Sequence, residues 1–171
     1  YHQGLASSRP DVVVVGSESV DIGFQPARSV LVVENERNFF QYAQMLNFAS
    51  QTLGKRLVFS ECDVLLGGGN RVTRGAILDW LKGYEEVFCA FDYDAGGLQM
   101  FSTIAASLGD KATFVQPPDW QPWLGRFRKL PDTTERFTRA ISLAEGLGFV
   151  PLAEAFRATG KFMEQEMILD E

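Results

Sequence analysis

Two aspartates, Asp92 and Asp94, follow directly on an apolar run that ends at Phe91. A short apolar run with a helical pattern behind it is typical of a buried parallel strand. Residues i and i+2 of a strand point to the same side, so the two carboxylates are expected side by side, where each raises the pKa of the other. A divalent cation relieves that repulsion, and Mg²⁺ binds one or two carboxylates while keeping waters that leave room for phosphate. The spacing predicts a metal site.

A third acid, Glu34, stands in an equivalent position after the apolar run 30–33, and a helical pattern follows it too. Ligands of open α/β sheets collect at the carboxyl ends of the strands. We therefore expect Glu34, Asp92 and Asp94 to meet around one ion. Glu36 either contacts a second ion or is simply a favourable acid in the first turn of a helix. The alternative for the two aspartates is a solvated turn, where Asp is common.

A glycine run, residues 67–69, leads towards a helical pattern that has Arg71 just before it and Arg74 in its first turn. Glycine lets a backbone approach a ligand closely, a helix N-terminus attracts phosphate, and arginine pairs with it. Gly68, Gly69, Arg71 and Arg74 are therefore candidate nucleic-acid contacts. A flexible turn between strand and helix is the alternative. The loop lacks the Gly-Lys-Ser/Thr ending of a Walker A motif.

Strand patterns alternate with helical ones and are followed by helical patterns alone, which predicts an α/β domain with a mostly parallel sheet flanked by helices, plus C-terminal helices. We assign residues 1–171 to one domain, with a core at about 30–115 and a helical tail at about 132–169. Residues 1–10 are expected to be disordered, and the valines at 12–15 to form a hairpin or edge strand. The predicted strands are 30–33, 56–59, 63–66, 87–91 and 112–115. The predicted helices are 36–53, 73–82, 96–108, 133–147, 152–159 and 161–168.

The composition excludes several classes of protein. No apolar run approaches the roughly 18 residues that span a bilayer, so we expect no membrane partner and a cytoplasmic location. Cys62 and Cys89 lack metal-site spacing and are predicted to be core thiols, and His2 is too isolated for most Ser-His or Cys-His chemistry. A net charge of −6 argues against a free-standing nucleic-acid binder. The chain has no initiator Met, so we expect a C-terminal fragment whose other domains supply basic surface.

The acid at the end of one strand, the glycine-rich loop and the later Asp92-Tyr93-Asp94 together resemble a Toprim domain, a Rossmann-like fold, over about residues 30–115. The Ala95-Gly96-Gly97 that follows is similar to the topoisomerase VI A subunit and its relatives. The opening at Glu34 to Glu36 and the run Met163-Glu164-Gln165-Glu166 are similar to JetD, the nuclease subunit of the Wadjet anti-plasmid defence system.

The resemblance implies Mg²⁺ or Mn²⁺ held by Glu34, Asp92 and Asp94, and a DNA endonuclease activity in plasmid defence. It also implies partner subunits of an SMC-like complex, and we expect a homodimer because cutting both strands is simplest with two sites. No tyrosine of the chain stands in the context of the topoisomerase nucleophile, so a metal-activated water is the expected nucleophile. The alternatives are strand cleavage and transfer of the topoisomerase VI A type, and a non-catalytic Toprim domain that binds DNA or a partner. A receiver-type phosphoacceptor is disfavoured, since neither Lys111 nor Lys129 is predicted to follow a strand directly.

Overall fold

A computed structural model describes residues 1–3 and 10–169. Within them the strands are β1 (Val13–Val15), β2 (Val20–Ile22), β3 (Ser29–Val33), β4 (Cys62–Leu66), β5 (Glu86–Ala90) and β6 (Ala112–Phe114). The α-helices are α1 (Glu36–Phe40), α2 (Tyr42–Leu53), α3 (Gly75–Leu81), α4 (Ala95–Leu108), α5 (Thr134–Gly146) and α6 (Val150–Thr159). Four short 3₁₀ segments complete the described elements: Gly69–Thr73, Gly109–Lys111, Gln121–Arg126 and Gln165–Ile168.

Strands β3 to β6 form a parallel sheet in the order β4-β3-β5-β6, which confirms the predicted α/β class. The chain leaves β3 in one direction to reach β4 and crosses back to reach β5, so the strand order reverses between β3 and β5. Ligands of doubly wound sheets bind at this reversal, outside the carboxyl ends of the strands. Val33 pairs with Ala90 across it, and the residues just beyond them therefore share one crevice.

The central strand β3 is buried at every position because helices cover both faces of the sheet. Val30 and Val32 pack into a core on the side of α3 to α6, whereas Leu31 and Val33 pack into a second core on the side of α2. This alternation is the period-two pattern of a strand with two apolar faces. Cys62 and Cys89 are buried free thiols, as predicted.

The N-terminal part contains the predicted hairpin, since β1 and β2 pair antiparallel. The expectation of disorder at residues 1–10 is wrong for His2, which is buried, stacks on Phe24 and forms a 2.9 Å hydrogen bond with Asp11. Residues 4–9, also covered by that expectation, lie outside the described residues.

Three predicted boundaries differ in the middle of the chain. The helix predicted at 36–53 is two helices, because the backbone of Gln41 leaves helical geometry at φ −101° and ψ 35°. The strand predicted at 56–59 is absent, and Leu57 instead donates its N–H to the Ser50 hydroxyl on α2. Thr73 does not cap α3, since the chain forms a 3₁₀ turn there and α3 starts at Gly75.

The helix predicted at 161–168 is also wrong. Phe162 and Met163 are extended and bridge antiparallel to Lys129 and Tyr93 respectively, and only a 3₁₀ turn follows. The backbone groups that a helix would use internally are taken by these neighbours, and Phe162 and Met163 are buried. Tertiary contacts have overridden the local helical pattern. In the part of the chain that the structure describes, no helix is long and apolar enough to cross a bilayer.

Candidate functional site

Glu34 and Asp92 come together at the reversal of the sheet. Glu34 directly follows β3, and its N–H donates to the carbonyl oxygen of Ala90 at 3.1 Å. Its carboxylate reaches across to the neighbouring strand end, where Oε2 accepts the backbone N–H of Asp92 at 2.8 Å. One acid thus holds the backbone of the other, which fixes both at the carboxyl ends of β3 and β5.

Asp94 has a different position, since it is the N-cap of α4. Its Oδ1 accepts the N–H groups of Gly96 at 2.8 Å and Gly97 at 2.9 Å. Its Oδ2 lies 3.5 Å from the ammonium of Lys129. A buried carboxylate at a helix N-terminus satisfies two of the helix's unpaired donors and is favoured by the helix dipole. Both oxygens of Asp94 therefore have partners within the protein.

Gly97 allows α4 to start this close to β5. A Cβ at this position would lie 2.0 Å from the carbonyl oxygen of Asp92, a backbone atom. Only glycine fits there, and this close approach places the N-terminal end of α4, with its N-cap Asp94, against the end of β5. The second glycine of the sequence pattern is thus explained by packing at the acid site.

Lys129 brings a positive charge to the acids. It lies 3.2 Å from Glu164 as well as 3.5 Å from Asp94, and its backbone is held by the bridge to Phe162. Burial alone would lower the pKa of Lys129, but the hydrogen bond to Glu164 and the charge of Asp94 raise it above the ordinary value. The ammonium therefore stays charged beside the carboxylates.

Glu34 and Asp92 are costly to ionise. Burial raises the pKa of Glu34 to about 7, the charge of Asp92 adds to the rise, and the N–H of Asp92 partly offsets it. Burial likewise raises the pKa of Asp92 to about 6, against the N–H bond from Gln165, while the charge of Asp94 raises it further. A cation between the two would favour both ionised forms.

Gln165 also belongs to the site, although the sequence analysis placed it on a helix and did not name it as a site residue. Its backbone N–H donates to Asp92 Oδ1 at 2.7 Å. Its side chain is fully buried, with the amide oriented so that the nitrogen donates to Ala90 at 2.7 Å and the oxygen accepts from Phe91 at 3.2 Å. The only sequence signal was the run Met163 to Glu166, which we predicted to be helical and did not place at the acid site.

Two of the three predicted carboxylates, those of Glu34 and Asp92, offer oxygen atoms to a metal. Among the described residues, Glu34 Oε1 and Asp92 Oδ2 accept no hydrogen bond, so one oxygen of each acid is available. No group of three His, Cys, Asp or Glu side chains in the described ranges is placed to hold one ion. The predicted three-carboxylate ligand set therefore stays a prediction. Mg²⁺ often takes only one or two carboxylates and fills its other positions with water, so the Glu34–Asp92 pair fits it.

The other predicted site residues form no hydrogen bond or ion pair with this pair within the described part of the chain. Glu36 is exposed in the first turn of α1, and no hydrogen bond or ion pair in the described part joins it to the other acids. Gly68 and Gly69 have left-handed backbones, with φ of 62° and 64°. Arg71 and Arg74 are exposed and line a cavity of about 450 Å³ against the hairpin and α3, whose described lining includes none of the acids.

Comparison of the chain with protein-family models, with curated proteins and with solved structures found no match. The resemblance to Toprim domains therefore rests on the acids, the glycines and their spacing.

Proposed function

We propose that this chain is a metal-dependent phosphodiesterase domain that cleaves DNA, with Glu34 and Asp92 as its metal ligands. The observation that carries the proposal is the contact between the two acids, in which Glu34 Oε2 accepts the N–H of Asp92 at the reversal of strand order. Burial and the charge of a neighbouring aspartate make both carboxylates hard to ionise, which disfavours a solvent-facing turn and favours a cation site.

A divalent ion bound by this pair would polarise a phosphodiester and lower the pKa of a bound water. The chain's own residues supply the rest of the site. Asp94 holds the start of α4 and the ammonium of Lys129, and Gln165 holds Asp92 from the other side. The charged Lys129 is available to a phosphate oxygen, where it would stabilise developing negative charge. Mg²⁺ or Mn²⁺, together with DNA as the substrate, agrees with the Toprim resemblance and its JetD-like version.

Strand transfer by a tyrosine of this chain is a weaker proposal. Tyr93 lies between the two aspartates, but its side chain is fully buried and its hydroxyl donates to the carbonyl oxygen of Val115 at 3.0 Å. Burial raises the pKa of that hydroxyl well above its ordinary value. A hydroxyl in this position cannot attack a phosphate, and topoisomerase VI A-like chemistry would need a nucleophile from elsewhere.

The occupied oxygens of Asp94 favour a second candidate, a non-catalytic domain that binds DNA or a partner. Asp94 is engaged by Gly96, Gly97 and Lys129, so its carboxylate serves the fold without an ion. Such a domain would keep the acids as structural caps and would show no gain of stability or activity with metal.

Plasmid cleavage with Mn²⁺ separates these candidates. We expect nicking or linearisation by the wild-type protein, and at least 100-fold slower cleavage by Glu34→Gln and Asp92→Asn, which keep side-chain size and remove charge. Glu36→Gln, an exposed acid on the adjoining helix, is the matched control and should cut at the wild-type rate. Equal cleavage by the wild type and the Asp92→Asn protein would exclude the proposed role of the acids.

A further inference from the structure

A groove of about 430 Å³ opens at the N-terminal end of α4, beside the acid site. The Gly69–Thr73 turn contributes Asn70 to its lining, α4 contributes Gly96 and Gln99, and α5 contributes Arg136 and Arg139. These side chains are hydrogen-bond donors or carry positive charge, except for the glycine. The sequence analysis assigned no function to α5, and the groove is separate from the cavity lined by Arg71 and Arg74.

The charges in this groove favour an anion. Arg136 and Arg139 lie three residues apart and so share one face of α5. Arg136 is paired with Asp132 at 2.8 Å, whereas Arg139 donates to the neutral amide of Gln99 at 2.7 Å and forms no ion pair within the described residues. Glu135 is the one acid in the described lining. Two exposed arginines stand out in a chain of net charge −6.

The groove adjoins the acid site at Gly96, which lines the groove and lies two residues after Asp94. A Cβ built on Gly96 would lie 3.2 Å from Asp94 Oδ1 and 3.8 Å from Arg136 Nη2, so an acid of the site and an arginine of the groove approach the same glycine. A side chain at this position would lie between the acid and the arginine, and glycine leaves that space free. A ligand in the groove would therefore extend towards Asp94 and the neighbouring acids.

We propose that this groove binds the sugar-phosphate backbone of a DNA strand, with Arg136 and Arg139 on phosphates next to the one at the acids. The inference rests on the proposed function and specifies where the substrate strand lies. Guanidinium groups pair with phosphate oxygens through directed, charge-assisted hydrogen bonds. In this proposal these arginines take the place of the sequence-based candidates Arg71 and Arg74 as the main backbone contacts, because the lining of their groove includes Ala95 and Gly96, next to Asp94, and the lining of the other cavity does not.

Binding is measured by fluorescence anisotropy with labelled single-stranded and duplex oligonucleotides in EDTA, where cleavage does not contribute. We expect Arg136→Gln/Arg139→Gln to bind at least 10-fold more weakly than the wild type, with a salt slope smaller by roughly 1.4 to 1.8, since each lost phosphate contact removes about 0.7 to 0.9. The control Arg28→Gln/Arg157→Gln removes two exposed, ion-paired arginines outside the groove and should bind within two-fold of the wild type.

Equal losses in the two double variants would overturn the inference, because net charge alone would then explain binding. A loss confined to Arg71→Gln/Arg74→Gln, or no measurable binding by the wild type, would overturn it as well. Failure of the proposed function gives a different result from failure of this inference. An Asp92→Asn protein that still cuts DNA would exclude the acids from catalysis. An Arg136→Gln/Arg139→Gln protein that binds and cuts DNA normally would exclude only the groove as the DNA-binding surface.

Discussion

At the scale of single residues, the Glu34 carboxyl group makes a structural hydrogen bond and also has a raised pKa. Its carboxylate holds the N–H of Asp92, yet burial and the nearby acids oppose its charge. A carboxyl group whose pKa is higher in the folded than in the unfolded chain binds more protons when folded. Between its ordinary pKa and about 7, stability therefore falls as pH rises. At neutral pH the ionisation of Glu34 therefore lowers the free energy of unfolding, and a bound cation would offset this loss.

The first prediction is that metal-free protein loses stability between pH 5 and pH 8 because of this acid. Glu34→Gln keeps an oxygen for the N–H of Asp92 and cannot ionise, so its decline over this range should be smaller by about 2 kcal/mol, each pKa unit being about 1.4 kcal/mol. Urea unfolding in EDTA at four pH values measures this. Glu36→Gln should decline like the wild type, and an identical decline in Glu34→Gln would show that Glu34 does not titrate in this window.

The spacing of the acids was enough to predict Glu34 and Asp92 as neighbours, because the carboxyl ends of parallel strands share an edge. It could not predict which oxygens stay available. Asp94 was expected to be equivalent to Asp92, but a carboxylate placed two residues before Gly96 at a helix start is also a good N-cap, and that role takes its Oδ1. Lys129 and Gln165 could not be assigned to the site from a pattern, since long-range backbone bridges bring them there.

At the scale of elements, the segment from Phe162 to Gln165 completes the site. It bridges Lys129 on one side and Tyr93 on the other, and the N–H of Gln165 then donates to Asp92. The apolar spacing of this segment is compatible with a helix, and the competing tertiary bonds are invisible in a local window. Elements with a strong period and clear caps, such as α4 and α5, were predicted closely.

The second prediction concerns Gln165, whose buried amide joins this segment to β5. Gln165→Ala should lower the free energy of unfolding by about 2 to 3 kcal/mol, because it leaves the buried N–H of Phe91 unpaired and opens a cavity. Gln51→Ala on the exposed side of α2 is the control and should change stability by less than about 0.5 kcal/mol. Chemical denaturation measures both free energies of unfolding. Equal stability of the two variants would show that the Gln165 amide does not stabilise the contact between this segment and β5.

At the scale of the whole molecule, the doubly wound sheet explains why one pair of acids meets. Strand–helix alternation in the sequence predicts a parallel sheet but does not give the strand order β4-β3-β5-β6. The adjacency of β3 and β5 depends on which face of the sheet each crossover passes. The two cores on either face of β3 fix that choice, since α2 covers one and α3 to α6 cover the other. The fold class and the meeting of the acids at the carboxyl edge of the sheet were therefore predictable, whereas the order of the four strands was not.

The last prediction links the site to the stability of the entire domain. An ion that binds only the folded chain stabilises it by mass action, by about 2.7 kcal/mol at 100 times its dissociation constant, which corresponds to a rise in Tm of roughly 5 to 10 °C for a domain of this size. We expect such a rise when Mn²⁺ is added to the wild type at pH 7.5, where Glu34 and Asp92 must otherwise ionise against burial and the charge of a neighbouring aspartate. Glu34→Gln/Asp92→Asn should show no rise, and Glu36→Gln should show the full one, since Glu36 is exposed on α1 and is not one of the two proposed ligands. Differential scanning calorimetry at several Mn²⁺ concentrations measures all three, and an equal rise in the double variant would mean that the ion binds elsewhere.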